Sequence, residues 1–323
     1  MSVNQQAQQQ AQICTLCPRA CGVRRQAGQS GFCGAANTVK IARAALHMWE
    51  EPCISGDRGS GTIFFSYCPL RCSYCQNANL ATGKQGVEVT EDRLVDICLE
   101  LQAQGALNIN MVTPTHYSDV LRRVIAQARK RGLALPIVWN TSGYELVDQI
   151  EANVGFVDVY LTDFKYADPD LAHRYSQAAD YPDVAIAALD KMVEVCGRPQ
   201  FDEVDGMARL VKGVVVRHLL LPGALDNSKQ VIKLLHERYG DAILLSIMNQ
   251  YTPLIASRAR TNDSFAVRVL KTCPELAHSV DNETYEALLD YADEIGCEDY
   301  YWQEGSANLE SFIPEFDLTG VLD

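Results

Sequence analysis

Cysteine is the residue type with the most distinctive spacing in this chain. Cys68, Cys72 and Cys75 form the motif C-x3-C-x2-C. Three thiolates on one tight loop can bind three irons of a cubane iron–sulfur cluster, which normally takes four cysteines. The fourth iron of such a cluster would be open to a substrate. The spacing leaves two alternatives open, a zinc turn with a distant fourth ligand and free cysteines in the core.

A second group of cysteines lies nearer the N-terminus. Cys14, Cys17, Cys21 and Cys33 are spaced C-x2-C-x3-C-x11-C, in a stretch with no sustained apolar period. Four thiolates on a module without a core would suit either an auxiliary iron–sulfur cluster or a structural zinc ion, and we expect the cluster. Cys53 could replace one of the four. The stretch therefore predicts a small metal-stapled module.

The other cysteines are scattered along the chain, and we expect them to be small buried hydrophobes. They are Cys98, Cys196, Cys273 and Cys297. Some polar residues lie near the motifs without forming a pair that would indicate acid–base catalysis. These are His47, Glu50, Glu51 and His116. We predict that they are hydrogen-bonded or packed structural groups.

Strand and helix patterns alternate from Gly61 onward, and these elements must position the motifs. Apolar runs predict strands at 62–66, 109–112, 136–140, 156–161, 213–221 and 242–248. Apolar residues at helical spacing predict helices at 92–104, 118–131, 144–153, 169–195, 227–239 and 282–295. Strands joined by helices imply a parallel α/β sheet, either doubly wound or a full or partial βα barrel. Active sites of such folds form at the carboxyl ends of the strands.

The first cysteine motif carries a family resemblance. The stretch from Cys68 to Cys75, with the aromatic Tyr74 just before the last cysteine, resembles the signature of radical S-adenosylmethionine (SAM) enzymes. The resemblance implies a partial (βα)6 barrel and a 4Fe-4S cluster on Cys68, Cys72 and Cys75, with SAM chelating the fourth iron. The reduced cluster of this family cleaves SAM to a 5'-deoxyadenosyl radical, which abstracts hydrogen from a substrate.

Further motifs narrow the resemblance to one branch of that superfamily. Asp-Phe-Lys at 163–165 and His-Leu-Leu-Leu-Pro-Gly at 218–223 resemble the branch around pyruvate formate-lyase activating enzyme. The stretches 14–23, 47–56 and 108–117 look like the uncharacterised PflX-type proteins. The likeness runs from about residue 14 to the C-terminus and is far more specific for the cofactor than for the substrate.

The resemblance also assigns cofactor-binding residues. Tyr74 would lie against the adenine, Asp163 and Lys165 near the methionine end of SAM, and His218 in the same pocket. Asp163 and Lys165 are two residues apart, so their side chains point to the same side of a strand. A surface ion pair is the alternative for that pair, and a hydrogen-bonded structural histidine is the alternative for His218.

Two stretches depart from the branch. Where it usually has Gly-Gly-Glu after the second strand, this chain has Val-Thr-Pro-Thr-His at 112–116. The hydroxyls of Thr113 and Thr115 could bind the amino group of SAM instead. After the third strand the branch often has Asp-Thr-x-Gly, whereas the chain has Asn-Thr-Ser-Gly at 140–143. Asn140 would therefore line the cofactor site without the charge that favours a monovalent cation there.

Charge and composition exclude some classes of partner. Acidic residues outnumber basic ones by 41 to 28, so nucleic acid is not expected as a partner. No apolar run reaches the ~18 residues of a membrane-spanning helix, and the N-terminus lacks the features of a signal peptide. We therefore expect a cytoplasmic protein. A reducing cytosol would not keep its 12 cysteines as disulfides, which again indicates metal.

The predicted organisation has four segments. They are a flexible tail at 1–12, a Cys-rich metal-binding module at 13–55, a radical SAM core barrel at 56–255 and a C-terminal extension packed on the core at 256–323. The expected function is a radical SAM enzyme that acts on a small molecule, peptide or protein and receives electrons from a reductant such as flavodoxin or ferredoxin. A glycyl-radical-enzyme activase is one alternative. A non-catalytic iron–sulfur or zinc scaffold, or an electron carrier, is the alternative of another class.

Overall fold

The computed structural model describes residues 13–303 and 314–322, and a ten-stranded sheet organises them. The predicted flexible tail at 1–12 lies outside the described residues. The strands are β1 (Val39–His47), β2 (Ser60–Phe65), β3 (Val87–Val89), β4 (Ile109–Val112), β5 (Ile137–Thr141), β6 (Val159–Asp163), β7 (Gln200–Val204), β8 (Met207–Leu219), β9 (Leu244–Met248) and β10 (Tyr300–Trp302). Their order across the sheet is β10-β9-β8-β6-β5-β4-β2-β1-β3, with β7 paired to β8.

Helices connect the parallel strands and cover the sheet. They are α1 (Pro52–Ser55), α2 (Ala78–Ala81), α3 (Glu91–Ala103), α4 (Ser118–Lys130), α5 (Val147–Ala152), α6 (Pro169–Ser176), α7 (Tyr181–Cys196), α8 (Leu225–Tyr239), α9 (Leu254–Arg260), α10 (Ser264–Thr272) and α11 (Asn282–Glu294). Helix α3 shows why they form where predicted. The Thr90 side chain caps it by accepting a hydrogen bond from the backbone N–H of Arg93, and its apolar stripe is buried.

The six strands predicted from the sequence are neighbours in the structure. They correspond to β2, β4, β5, β6, β8 and β9, which pair in that order and are all parallel. Helical connections separate each of them from the next. The predicted α/β fold with a partial βα barrel is therefore confirmed. The strand order ends at β10 on one side and at the antiparallel pair β1 and β3 on the other.

Several elements were missed by the sequence patterns. Strand β1 contains Ala42, Ala44 and Ala45, a residue type that is depleted in strands, so it carries no strand signal. Strand β8 begins at Met207 rather than at 213, because its first half forms a hairpin with β7 away from the core. One helix was expected after residue 250, but α9 and α10 precede α11.

Alternation along the parallel strands separates two faces of the sheet. Trp139, Tyr160 and Val216 belong to the large core beneath the helices. Their strand neighbours, including Val138 and Leu161, face a smaller cluster inside the barrel. Helix α1 contributes Cys53 and Ile54 to that inner cluster. The inner face of the sheet is therefore lined by side chains of both the strands and α1.

The C-terminal segment 314–322 packs against β1. The backbone N–H of Leu318 donates to the Ala42 carbonyl oxygen at 3.1 Å, and the Ala44 N–H donates to the Thr319 carbonyl oxygen at 2.9 Å. Arg43 and Asp317 add an ion pair at 2.8 Å. The segment 314–322 is thus held against the sheet through β1.

Two smaller predictions concern burial and membranes. The four scattered cysteines are buried, as expected, at positions Cys98, Cys196, Cys273 and Cys297. Within residues 13–303 and 314–322, none of the helices combines the length and apolarity that a membrane span requires.

Candidate functional site

The first cysteine motif forms a tightly turned loop at the carboxyl end of β2. Tyr67 and Arg71 have positive φ angles of 73° and 56°, so the chain turns sharply on either side of Cys68. The backbone N–H of Cys75 then donates to the carbonyl oxygen of Cys72 at 3.1 Å, which closes a second turn. The loop lies at the edge of the sheet where α/β active sites form.

The three thiols of this loop form one electrostatic group. Burial raises the pKa of Cys68 to about 11, and the nearby Cys72 adds to that shift. Burial also raises the pKa of Cys75 to about 12, with contributions from Cys72 and Cys68. Buried thiolates that repel one another need a compensating positive charge, and bound metal supplies it. The donor set therefore fits an iron–sulfur cluster.

The thiols are not already arranged as ligands of a metal ion. Among residues 13–303 and 314–322, no three His, Cys, Asp or Glu side chains meet the geometry of a preformed metal site. The fit to a cluster therefore rests on the donor set, the spacing and the position of the loop.

The second cysteine group also comes together in space. Burial raises the pKa of Cys17 to about 12, and Cys33, Cys14 and Cys21 are close enough to add to it. Gly31 leaves room for this packing, because a Cβ there would lie 2.2 Å from the Cys21 Sγ. The four thiols thus lie near one another in the stretch 14–33, which contains no strand or α-helix.

Cys53 is not part of that group. It is buried in the inner cluster of the barrel, beside Ile54 and Val138, and hydrogen-bonds with Tyr301. The suggestion that Cys53 could replace one of the four N-terminal cysteines is therefore wrong. Helix α1 places it on the inner face of the sheet instead.

Arg19 joins the N-terminal module to the first cysteine loop. Its guanidinium donates to the carbonyl oxygens of Pro69 at 3.0 Å and Leu70 at 3.2 Å. It also donates to the Ser176 carbonyl oxygen at 2.7 Å, at the end of α6. The Phe32 ring lies under the same guanidinium, with 4.0 Å between Cζ and the ring centroid. Arg19 of the N-terminal module therefore contacts both the first cysteine loop and the end of α6.

A row of charged side chains runs inward from the loop. Lys165 donates to Asp163 Oδ2 at 2.5 Å, and Arg217 Nε donates to Asp163 Oδ1 at 3.0 Å. Arg217 continues the row, donating to Asn140 Oδ1 at 2.7 Å and to Glu50 Oε2 at 3.2 Å. The predicted residues Asp163, Lys165 and Asn140 are thus brought together.

The opposite charges in this row keep one another ionised. Burial would raise the pKa of Asp163, but Lys165 and Arg217 outweigh burial and hold it below its usual range. Burial would lower the pKa of Lys165, yet Asp163 and the thiol of Cys72 keep it raised. Lys165 therefore stays cationic and lies between Asp163 and the cysteine loop.

Glu50 and Glu51 lie deeper in the barrel. Burial raises the pKa of both carboxyls, against the opposing effect of Arg217. Glu50 Oε1 accepts hydrogen bonds from Asn110 at 2.9 Å and from Asn140 at 3.3 Å. The prediction that these two glutamates are hydrogen-bonded is confirmed for both, since Glu51 accepts a hydrogen bond from Ser246. Their position inside the barrel was not foreseen.

His218 lies on the other side of β8 from Arg217. Its Nδ1 is 2.7 Å from the Phe164 carbonyl oxygen, and its Nε2 is 2.8 Å from Ser228 Oγ on α8. Burial lowers its pKa to about 4, so the ring is neutral at neutral pH. Both ring nitrogens of His218 are thus hydrogen-bonded within the protein, and the charges of Lys165 and Asp163 also act on its pKa. Its place in the cofactor pocket stays a prediction.

The two threonines take different positions after β4. Thr113 has a positive φ of 60°, and its backbone N–H donates to the Asn140 carbonyl oxygen at 2.8 Å. Thr115 is buried, and its hydroxyl donates to Glu145 Oε1 at 2.6 Å. The Thr115 hydroxyl thus satisfies a buried carboxylate, while Thr113 lies beside Asn140 at the strand ends.

Tyr74 packs among other tyrosines. It is 8% exposed, its hydroxyl oxygen accepts from Tyr166 at 2.8 Å, and its ring meets the edges of Tyr175 and Tyr251. Tyr181, from the same group, accepts a hydrogen bond from the Lys165 backbone N–H at 3.0 Å. These tyrosines therefore pack against the first cysteine loop and the segment 163–165.

Sequence reasoning missed Arg217, Glu50 and Asn110 as members of the site. The available signal for Arg217 was its place beside His218, since neighbouring strand residues face opposite sides. Glu50 and Asn110 carried no comparable signal, because their approach depends on how α1 enters the barrel.

Known proteins share part of this sequence. An uncharacterised protein of Methanocaldococcus jannaschii is 26% identical over 256 residues, covering 74% of this chain and 66% of the relative. The pyruvate formate-lyase-activating enzyme of Streptococcus mutans is 24% identical over 185 residues, covering 53% of this chain and 63% of the relative. In both comparisons the match spans less than two thirds of the relative's own length.

Solved structures give a further comparison. SuiB of Streptococcus suis bound to S-adenosylmethionine is 14% identical, with 74% of this chain and 49% of that chain covered and a TM-score of 0.47. SuiB bound to its precursor peptide gives 13% identity, 74% and 47% coverage and a TM-score of 0.49.

The family model for the Radical SAM superfamily matches residues 62–235, which is more than half of the chain. The match includes the first cysteine loop and the row from Lys165 to Arg217. This chain therefore belongs to the radical SAM superfamily, whose members bind a 4Fe-4S cluster and S-adenosylmethionine.

Proposed function

We propose that this chain is an enzyme in which Cys68, Cys72 and Cys75 hold a 4Fe-4S cluster. When bound and reduced, the cluster with SAM would supply a 5'-deoxyadenosyl radical for hydrogen abstraction from a small-molecule, peptide or protein substrate. The observation that carries the proposal is the largely buried ion pair of Lys165 with Asp163 at 2.5 Å, whose cation also acts on the thiols of this loop. A purely structural metal loop would not need a buried, charge-paired lysine next to it.

Lys165 would orient the cofactor. One of its three N–H donors is spent on Asp163, so the others can hold a carboxylate such as that of SAM. Asp163 keeps the lysine protonated and fixes its direction, and Arg217 holds Asp163 from the other side. Because Asp163 bonds to both cations, its loss would leave two charges buried without a partner.

The remaining predicted residues divide into two kinds of role. Thr113 and Asn140 lie together at the strand ends and would line the cofactor pocket. His218 and Thr115 would act through the groups they hold, the Phe164 carbonyl and the Glu145 carboxylate. Tyr74 would contribute an edge of the adenine site while its hydroxyl stays bonded to Tyr166.

The N-terminal cysteines would hold a second metal centre. Four thiolates at Cys14, Cys17, Cys21 and Cys33 suit a second 4Fe-4S cluster or a zinc ion. We favour iron, because Arg19 of this module contacts the loop that carries the first cluster. The segment boundaries 13–55, 56–255 and 256–323 are proposed from the sequence.

A glycyl-radical-enzyme activase is the second candidate. The similarity to a pyruvate formate-lyase-activating enzyme favours it. The Thr-Pro-Thr sequence at 113–115, where that branch has Gly-Gly-Glu, weighs against it. A scaffold or electron carrier is disfavoured, since neither requires the paired charges of Asp163, Lys165 and Arg217. The electron donor would be a small reductant such as flavodoxin or ferredoxin.

Cleavage of SAM in deuterated cell extract tests this proposal. The reconstituted, reduced chain should form 5'-deoxyadenosine, and deuterium should enter that product from the substrate. The extract can then be fractionated, and the fraction that transfers deuterium to 5'-deoxyadenosine would contain the hydrogen donor. A product that appears at the same rate without the protein, or no product at all, would overturn the proposal.

A further inference from the structure

The inner face of the barrel holds a polar recess below Lys165. Asn110 on β4 and Arg217 on β8 both reach the carboxylate of Glu50, one at each oxygen. Glu51 lies next to them and hydrogen-bonds to Ser246 on β9. Side chains from three parallel strands and from the segment before α1 therefore meet in the centre of the sheet.

Two oxygens in this recess have no hydrogen-bond partner among the described residues. They are Glu51 Oε2 and Asn110 Oδ1. Asn110 is fully buried and Glu51 is 8% exposed. The other end of the Asn110 amide donates to Glu50, so its free oxygen lies in the same cluster. A buried acceptor without a donor is costly, and a bound group with N–H donors would satisfy it.

The charges of the recess favour a cationic donor. Three carboxylates, those of Glu50, Glu51 and Asp163, face the two cations of Arg217 and Lys165. Arg217 already donates from Nε and both of its terminal nitrogens. The two buried oxygens without a partner, Glu51 Oε2 and Asn110 Oδ1, are therefore hydrogen-bond acceptors. When all three carboxyls are ionised, the recess also carries one negative charge in excess.

Exposure falls along the row from Lys165 to Glu50. The side chains of Lys165, Arg217 and Asp163 are 16–17% exposed, whereas Glu50 is 8% exposed. Solvent thus reaches the Lys165 end of the row more than it reaches Glu50. A substrate that enters there would place its leading group at Glu51 and Asn110 and its following carbons near the cofactor.

We propose that this recess binds a primary ammonium group of the substrate, with Glu51 and Asn110 as its acceptors. The inference rests on the proposed function and names the substrate class for it, an amine. An ammonium group offers three donors and one positive charge, which match the two free oxygens and the excess charge. A neutral hydroxyl would leave that charge uncompensated.

Thermal unfolding of the reconstituted full-length protein tests the recess directly. Methylammonium chloride is the probe, and tetramethylammonium chloride and potassium chloride are its comparators at equal ionic strength. Methylammonium should raise the Tm with increasing concentration, because a ligand that binds the folded state stabilises it. Tetramethylammonium carries the same charge without an N–H donor, so it should have no such effect.

Glu51→Gln is the matched variant. It should need about tenfold more methylammonium for the same Tm shift, since a charge-assisted hydrogen bond becomes a neutral one. Glu237→Gln, at an exposed residue on α8 that lies 3.8 Å from Lys233, should behave as wild type. An equal shift with potassium would indicate a metal-cation site and overturn the proposal. No methylammonium shift in the wild-type protein would indicate a recess filled by water and overturn it as well.

The comparison of the three salts needs no variant, so it stands even if Glu51→Gln fails to fold. It is also independent of SAM cleavage. A protein that cleaves SAM but does not bind methylammonium would contradict only the ammonium recess. A protein that binds methylammonium but does not cleave SAM would contradict the proposed function.

Discussion

The Arg19 guanidinium lies 3.2 Å from the carbonyl oxygen of Leu70, so a residue between two N-terminal cysteines is bonded to the loop of the other cysteine motif. The same guanidinium also bonds to Pro69 and Ser176. The Ser73 N–H on that loop donates to the Tyr175 carbonyl oxygen at 2.8 Å. The loop is therefore held on one side by the module and on the other by the end of α6.

Removing the Arg19 side chain should loosen the first cysteine loop. Arg19→Ala loses several partly buried hydrogen bonds, which together contribute about 2 kcal/mol to local stability. Amide hydrogen exchange in 67–77 should then quicken about thirtyfold, because local opening becomes easier by that amount. Arg24→Ala, at an exposed position of the same module, is the control. Equal exchange in wild type and Arg19→Ala would show that the contact does not hold the loop.

Neutralising Asp163 should weaken SAM binding and leave the iron in place. Asp163→Asn keeps the shape of the side chain but leaves Lys165 and Arg217 without their shared carboxylate. We expect the Kd for SAM to rise about tenfold or more, as for other broken buried charge pairs. Equilibrium dialysis and iron analysis measure the two quantities. Asp96→Asn, which breaks only the exposed pair with Arg131, is the control, and unchanged binding in Asp163→Asn would count against the assigned role.

His218 should make the stability of the protein depend on pH. Its pKa is about 4 in the folded protein, against about 6.5 when unfolded. The unfolded chain therefore binds more protons between these values, so the stabilisation is complete above pH 6.5 and is lost as the pH falls toward 4. His116, with a folded pKa of about 3, acts in the same direction.

Urea unfolding at pH 7 and pH 5 measures this effect. The wild-type protein should lose up to about 2 kcal/mol from His218 over that range, and His218→Gln should lose correspondingly less. His173→Gln, at an exposed residue of α6, should keep the wild-type difference. The same pH dependence in His218→Gln and wild type would mean that the ring is not buried in its neutral form.

The metal of the N-terminal module can be identified by elemental analysis. A second 4Fe-4S cluster gives about eight irons per chain, whereas a zinc site gives about four irons and one zinc. Replacing Cys14, Cys17, Cys21 and Cys33 with Ser should remove about four irons and leave the other cluster. A loss of zinc with constant iron would establish the zinc site instead.

The sequence predicted the parallel core because its strands are buried on both faces and read as continuous apolar runs. β1 was missed since its alanines carry no such signal. The same two-sided burial explains why Arg217 was missed beside His218. When both faces of a strand are covered, alternation separates the two residues but does not say which one faces the barrel.

The deepest residues of the site, Glu50 and Asn110, could not be predicted from the sequence for a different reason. Lys165 and Asp163 are two residues apart at the carboxyl end of β6, so local geometry was enough to pair them. Glu50 reaches Arg217 from 167 positions away in the sequence, and Asn110 approaches the same carboxylate from another strand. Contacts of this kind depend on the register of the whole sheet and on the entry of α1, which short motifs do not encode.

Formation of 5'-deoxyadenosine by cysteine variants is the measurement closest to the central claim. The reconstituted, dithionite-reduced protein is incubated with SAM, and the product is quantified by chromatography for wild type, Cys68→Ala and Cys98→Ala. Cys98 is fully buried in the core, away from both motifs, and controls for the loss of a thiol. Wild type and Cys98→Ala should form the product, and Cys68→Ala should form none above background. Product formation by Cys68→Ala at the wild-type rate would contradict a cluster on Cys68, Cys72 and Cys75.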